Sequence, residues 1–445
     1  MKLRKLRPQA RFLREELTED TWEPLPDPRR ARGVRFRWMG LLNLLMLGML
    51  IHARTLRHVE RLTRFLAVPS AFGLRGAPSD TCLFETIGRL IPEQLREVLR
   101  AQVLRLHRSK RMEVLPEIGL SLVAIDGKVL GTDRTEKNPA STRMKVGRRQ
   151  DGRARKRVMK KGQENWNVAD VKPNADGEVF LVKALRAVHV GSATKPILDQ
   201  VAIPKGRGES TTLLPFLRDL YKAYGNLIEC LSLDAVYATR HVLAALAVAR
   251  IHYILALKGN AGQLYYRLRR LMGDGETEPP GGWACEVETC RNGRRIRRSF
   301  ARHFLRGYCL EGDFQQVWRQ RTVITSKVSG QILSVDDRLW ISSLPRERLT
   351  PQQAMAAIRA HWGVENDANW TLDAIWGEDT YTWVHKGRAR ESLGLLRAIA
   401  YNLVRVLRHR VLQPSTGGSL SYDELFERIH LALVTPAVLP AVGAT

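Results

Sequence analysis

A chain of 445 residues is too long for one small core, and a hydrophobic content of 44% is that of a globular protein, not a disordered or fibrous one. Seventy-two Lys and Arg against 45 Asp and Glu leave a formal charge of +27, an excess that opposes compaction unless a polyanion neutralises it. Nucleic acid is therefore the expected partner class. Five scattered cysteines speak against a disulfide framework and for a reducing compartment, so a cytoplasmic location is expected. Cys285 and Cys290 lack a second Cys/His pair at finger-like spacing, and no zinc site is expected.

Residues 1–37 are charged, lack the apolar run of a signal peptide, and are broken by PLPDPRR; they read as a basic, extended arm. WMGLLNLLMLGMLI (38–51) would span about 21 Å as a helix, short of the roughly 20 residues that a bilayer requires. A buried core helix is expected there, and no membrane. Residues 38–112 read as a helical domain. TLRHVERLTRFLA puts Leu56, Val59, Leu62 and Leu66 on one stripe, and Ser79 or Asp80 can N-cap the next helix. Helix, turn and capped helix suit a helix-turn-helix reader of DNA, and equally a plain helical bundle.

At GLSLVAIDGKVL (119–130) the period changes to that of a strand buried on both faces. The segment 143–161 holds ten Lys or Arg against one Asp, and Arg153, Arg155, Lys156 and Arg157 are its candidate phosphate contacts, with Lys128 upstream. Strands at 178–188, 195–204, 227–238 and 252–260 alternate with helices at 211–225 and 240–251, which argues an α/β core with neighbouring parallel strands. That core occupies 113–264. Two-residue alternation with Asn-Gly and Ser-Gly turns marks 265–345 as a β-rich insertion. Pro351 opens a helical stretch that completes the core over 346–412, and 413–445 is a Gly, Ser and Pro-rich tail.

Three carboxylates stand out. Asp126 closes the first apolar strand, Asp234 closes the second, and Glu365 lies on the helix beyond the insertion. Reactive groups of open α/β sheets gather outside strand ends, and an oxygen-only set of this kind suits Mg²⁺ or Mn²⁺. Two such ions about 3.5–4 Å apart can activate a water or a 3′-hydroxyl and stabilise the leaving oxygen. The competing reading is plain: Asp126-Gly127 is also a hairpin-turn signal, and an aspartate after a strand commonly serves as a cap.

AIDGKVLGTDR, LSLDAVYATR with YILALKGNAGQL, and IRAHWGVENDANWTLDAIWGEDTY occur in the order of the three blocks of bacterial insertion-sequence transposases. The chain resembles the H-repeat-associated group of the DDE superfamily from about residue 35 to 410. The resemblance implies an RNase H-like catalytic core interrupted by the insertion, with Asp126, Asp234 and Glu365 as its triad. It implies double-stranded DNA as partner, both element terminal inverted repeats and target, a homodimer in a synaptic complex, and a place at the bacterial nucleoid. The activity it implies is metal-dependent cleavage at element ends followed by strand transfer. An RNase H-like nuclease without strand transfer and a domesticated DNA-binding protein without catalysis are the alternatives.

The third block departs from related cut-and-paste enzymes. Their Tyr, Arg and Lys positions are here Ile358, His361 and Leu372, and Asn369 stands where the group usually has His. At four-residue spacing His361, Glu365 and Asn369 share a helix face, and both tryptophans, Trp362 and Trp370, are expected to pack in the core. Asn366 has an amide that could orient a ligand. His361 either contacts DNA phosphate or is a buried, hydrogen-bonded imidazole. Asp373, Glu378 and Asp379 are the reserve acids.

Overall fold

The computed structural model describes residues 7–30, 34–64, 73–133, 135–145, 174–275, 277–305, 313–378, 382–385, 387–412 and 420–434. Its centre is a ten-stranded sheet. β1 (Leu122–Asp133), β2 (Thr142–Lys145), β3 (Glu178–His189) and β4 (Ile197–Ala202) come first; β5 (Cys230–Leu233), β6 (His252–Leu257) and β7 (Cys285–Arg291) follow, then β8 (Arg294–Phe304), β9 (Gln316–Ser326) and β10 (Ile332–Ser342). The strand order is β2-β3-β1-β5-β6-β10-β9-β8-β7, and β4 also pairs with β3. β3 runs antiparallel to β1, and β2 and β4 antiparallel to β3, whereas β1, β5 and β6 are parallel. The parallel trio is where the sequence is most continuously apolar, because those strands are covered on both faces.

The helical block before the sheet is α1 (Arg7–Glu16), α2 (Trp38–Leu50), α3 (Leu56–Leu62), α4 (Asp80–Gly88) and α5 (Pro92–Arg108). α2 is buried almost all round, as expected, and no described helix is long and apolar enough to cross a membrane. Ser79 caps α4, its hydroxyl accepting from the Cys82 amide at 3.2 Å. α5 is riveted to β4: the wholly buried Asp199 carboxylate accepts from Arg96 Nε and Nη2 at 2.9 and 2.8 Å and from Arg100 Nη2 at 2.6 Å. Such forked, charge-assisted contacts fix orientation as well as distance.

Residues 7–30, read in the sequence as part of an extended arm, fold onto the core. α1 buries Ala10, Phe12 and Leu13, and Leu17 and Trp22 beyond it are also in the core. Trp22 Nε1 donates to Asn43 of α2 at 2.6 Å, and Glu16 meets Arg111 at 2.7 Å. The high charge hid an amphipathic turn whose apolar side had a surface to cover.

After β4 come α6 (Glu209–Tyr224), α7 (Arg240–Val248) and α8 (Gln263–Met272), the last a helix where the sequence pattern suggested the start of the β-rich stretch. Asn292 and Gly293, both at positive φ, turn β7 into β8 as the Asn-Gly signal predicts. These later strands continue the same sheet: β10 pairs antiparallel with β6, Leu339 opposite Leu257 through Ser342 opposite Ile254. α9 (Pro351–His361), two π-helical turns at Val364–Asn369 and Thr371–Ile375, and α10 (Ala389–Val406) complete the core. α11 (Tyr422–Val434) follows, with Tyr422 and Phe426 ringed against Trp376.

β1 depends on a close approach at its start. A methyl group on Gly191 would collide with the backbone carbonyl of Leu120, and it would lie 3.0 Å from the Leu122 amide. Gly191→Ala is expected to cost about 1–3 kcal/mol in urea denaturation, since backbone pinned by the Gly191–Leu122 and Leu115–Gly191 hydrogen bonds cannot move aside as a side chain does. Gly88→Ala, at a helical position with nothing within 4 Å, should be neutral or stabilise by up to about 1 kcal/mol.

Candidate active site

β1 places Asp126, though not at its end. The strand runs on to Asp133, and Gly127 is no turn: it lies inside the pairing with β3, and the space where its side chain would stand is filled by the buried Glu209 carboxylate of α6. Ile125 is level with Leu233 in the parallel pairing of β1 and β5. One residue on, Asp126 is therefore level with Asp234, whose backbone is still extended at φ −75° and ψ 166°. Adjacent strands lie about 4.8 Å apart, so two aspartates side by side on one sheet face is what this register produces. Across β1 on its other side, Asp126 is paired with Arg186 of β3, and Arg186 with Gln200 of β4. The row Asp234, Asp126, Arg186, Gln200 thus crosses four strands.

The third block lies over this row. Thr350 and Gln353 form a capping box at the start of α9, with Pro351 in the first turn. Gly363 fits tightly, its missing side chain 3.3 Å from Val190 and 3.4 Å from Lys195. The chain then winds as a π-helix over Val364–Asn369, a wider turn often found at functional sites. It leaves Glu365 exposed and turns Asn369 inward. Atoms crowding the Glu365 carboxyl strip part of its hydration and raise its pKa, and the negative charge of Asp234 raises it further; Lys258 and Arg338 oppose both. Lys258, just beyond β6, places Nζ 3.4 Å from Asp234 Oδ1.

Oxygen donors in mutual repulsion fit the chemistry of a hard divalent cation, which would relieve that repulsion. Among the described residues, no three His, Cys, Asp or Glu side chains stand close enough together to hold a metal ion as a group. The fit is thus one of pairs, Asp126 beside Asp234 and Asp234 near Glu365.

The other expected residues fall as follows. His361 is 3% exposed, shares a hydrogen bond between Nδ1 and Ser232 Oγ at 2.9 Å, and lies edge-on to Trp340 and Trp362. Burial pushes its pKa down to about 4, so it is neutral near pH 7 and offers phosphate no cation. Lys128 is also buried, its ammonium against Asp373, at odds with a DNA contact. Glu378 is wholly buried in an ion pair with Arg186. Trp370 is 54% exposed, contrary to core packing. Asn366 is exposed. Arg153, Arg155, Lys156, Arg157 and Asp379 lie outside the described residues. Sequence reasoning missed Arg186, whose signal was one arginine inside the otherwise apolar end of EVFLVKALRAV.

The site is thus two aspartates at one level of neighbouring parallel strands, with a glutamate-bearing helical segment lying over them. Residues 118–403 match the family described as "Transposase DDE domain", and the chain belongs to that family. It is 25% identical over 254 residues to "Putative transposase YncI" of Escherichia coli O157:H7, covering 52% of this chain and 62% of that protein. It is also 25% identical over 236 residues to "H repeat-associated putative transposase YhhI" of Escherichia coli strain K12, covering 49% and 58%. The chain thus spans about six tenths of the length of these curated relatives. A piggyBac transposase in a synaptic complex with hairpin DNA aligns at 12% identity and a TM-score of 0.45, covering 97% of this chain and 80% of that one, a likeness too loose to argue from.

His361 and His189 share one fate. Both are buried and both are pushed down to about 4. A buried neutral histidine binds fewer protons than its unfolded counterpart, whose pKa is 6.5, so stability falls as pH drops below 6.5 toward 4. Each should cost roughly 2 kcal/mol at pH 5 relative to pH 7.5. Thermal melts of His361→Gln should show lower stability at pH 7.5 but a shallower loss on acidification. His361→Arg should melt lower still, because it forces a permanent charge into that site.

Proposed function

We propose that the chain is a DNA transposase that cleaves at the ends of its own element and transfers the freed 3′-hydroxyl to target DNA. The observation carrying this reading is the register that sets Asp126 beside Asp234, with Glu365 near enough for Asp234 to raise its pKa. The strand order and directions of β4, β3, β1, β5 and β6 support an RNase H-like core within 113–264 and 346–412, with 265–345 inserted between. In this reading 38–112 and the basic 143–161 segment contact DNA, and two copies pair the element ends.

Asp126 and Asp234 would share one divalent ion, and Asp234 or Asp126 with Glu365 a second. Bound Mg²⁺ or Mn²⁺ supplies Lewis acidity toward the scissile phosphate and lowers the pKa of the attacking water or hydroxyl. The protein's own part is positional. β1 and the end of β5 hold two carboxylates on adjacent strands, while Glu365 is exposed on a short π turn above them. Lys258 offsets the local negative charge before a cation is bound.

Asp126→Asn, Asp234→Asn and Glu365→Gln should each reduce Mg²⁺-dependent cleavage by more than the roughly 10–100-fold lost when an outer partner of a metal ligand is removed. Binding to element-end DNA should persist. A gel assay with a 3′-hydroxyl donor separates the outcomes: nicked ends without joined product indicate a nuclease, and binding with neither product a DNA-binding protein only. Near-normal cutting by any one variant removes that residue from the triad.

Neutralising Z phosphates gives a log–log salt slope of about −0.9Z. Changing Arg153, Arg155, Lys156 and Arg157 together to Ala should flatten the slope by up to roughly 3–4 units if that run contacts the backbone. An unchanged slope, measured by fluorescence anisotropy across a salt series, would assign it to solvent.

A further inference from the structure

We propose that Asn369 is a positioning residue that orients Asp126 as a cation ligand, and that the buried Arg186–Glu378 pair holds Asn369 in that task; the inference rests on the transposase reading above. Asn369 Nδ2 donates to Asp126 Oδ2 at 3.2 Å, and its Oδ1 accepts from Arg186 Nη1 at 2.8 Å. The two contacts allow one amide orientation. Flipped, the NH₂ would face a guanidinium that has no acceptor, and the carbonyl would face a carboxylate that has no proton to give.

Arg186 cannot turn away. Its Nε and Nη2 donate to Gln200 Oε1 at 2.9 and 2.6 Å, and Nη2 meets both Glu378 oxygens at 3.0 Å, with Arg186 and Glu378 each wholly buried. Arg397 in turn donates to the Glu378 backbone carbonyl at 2.9 Å.

The charge arrangement gives this network its meaning. Arg186 is directly opposite Asp126 in the β1–β3 pairing, where a direct ion pair would be the simplest outcome. Instead Glu378 balances the guanidinium, and Asn369 carries the contact on to Asp126 as a neutral amide. A carboxylate oriented by a neutral amide has no added positive charge at that contact to oppose a cation, whereas one pinned by a guanidinium would have its attraction for the cation offset and its oxygens held to the arginine. The same π turn that presents Glu365 therefore also orients Asp126, through its last residue.

The test uses the full chain, with Mn²⁺ as probe and free Mn²⁺ read by electron paramagnetic resonance, beside cleavage of element-end DNA over a Mn²⁺ series. Asn369→Leu keeps the branched shape and removes both polar contacts. Its Mn²⁺ dissociation constant and its half-maximal Mn²⁺ for cleavage should both rise by roughly 10–100-fold, while DNA binding stays near wild type and the melting midpoint falls but the chain stays folded, because Arg186 loses one acceptor. Asn369→His should stay within about threefold of wild type, because a neutral imidazole also offers one donor and one acceptor. Should the Leu variant fail to fold, Asn369→Ser, too short to bridge the two partners, takes its place with the same expectation. Unchanged Mn²⁺ affinity in a folded Leu or Ser variant overturns the proposal, as does a His variant no better than Leu. If the wild type cuts normally and its metal requirement ignores position 369, the positioning role alone fails. If the wild type binds Mn²⁺ in the Asn369-dependent way yet cuts nothing, the transposase reading fails and the positioning role stands. A wild type that neither binds Mn²⁺ nor cuts overturns both.

Discussion

A guanidinium buried in the middle of a sheet constrains everything around it. Arg186 has no exposure, and stripping water from such a charge costs several kcal/mol unless acceptors replace it with good geometry. Those acceptors come from Gln200 on β4, Glu378 beyond the second π turn and Asn369 at the end of the first. A displaced C-terminal segment would leave the charge uncompensated. The way residues 364–378 lie across the strands is therefore set by electrostatic necessity as much as by apolar packing, and the site inherits its alignment from that necessity.

Much of this was legible in the sequence. Apolar runs ending in Asp126 and Asp234 announce strands whose carboxylates leave the core, and the two-residue alternation read over 265–345 announces the meander, though it begins only at Cys285 after a helix. What escaped was decided by contacts distant in sequence. Asp126 looked terminal because Gly127 follows it, yet the strand continues since Gly127 and Gly131 leave room for Glu209 and Arg390. His361 had the spacing of a phosphate contact, but Trp340, about twenty residues earlier on β10, and Ser232 on β5 enclose it. Asn369 stands four residues after Glu365, yet one is exposed and the other buried, because Arg186 and Asp126 hold the Asn369 amide against the sheet.

The electrostatics of the region are divided by burial. Inside, charges are matched: Arg186 with Glu378, Asp199 with Arg96 and Arg100, Lys128 with Asp373. At the surface the carboxylates are left more dependent on what arrives. Asp234 has an exposed lysine beside it, and Glu365 has its protonated form favoured by lost hydration first and by its neighbour's charge second. A matched interior gives rigidity, and an unmatched rim gives a reason to bind something positive.

The meander from β7 to β10 shares hydrogen bonds with β6, and this bears on how the protein could have acquired or could lose that segment. Without β10, the backbone of Leu257 to Ile254 would become a bare sheet margin of buried, apolar sequence, the kind of surface that recruits strands from other chains. A version trimmed back to β1–β6 would be an aggregation hazard. Any shortening of residues 285–342 must keep β10, or cover β6 with something else.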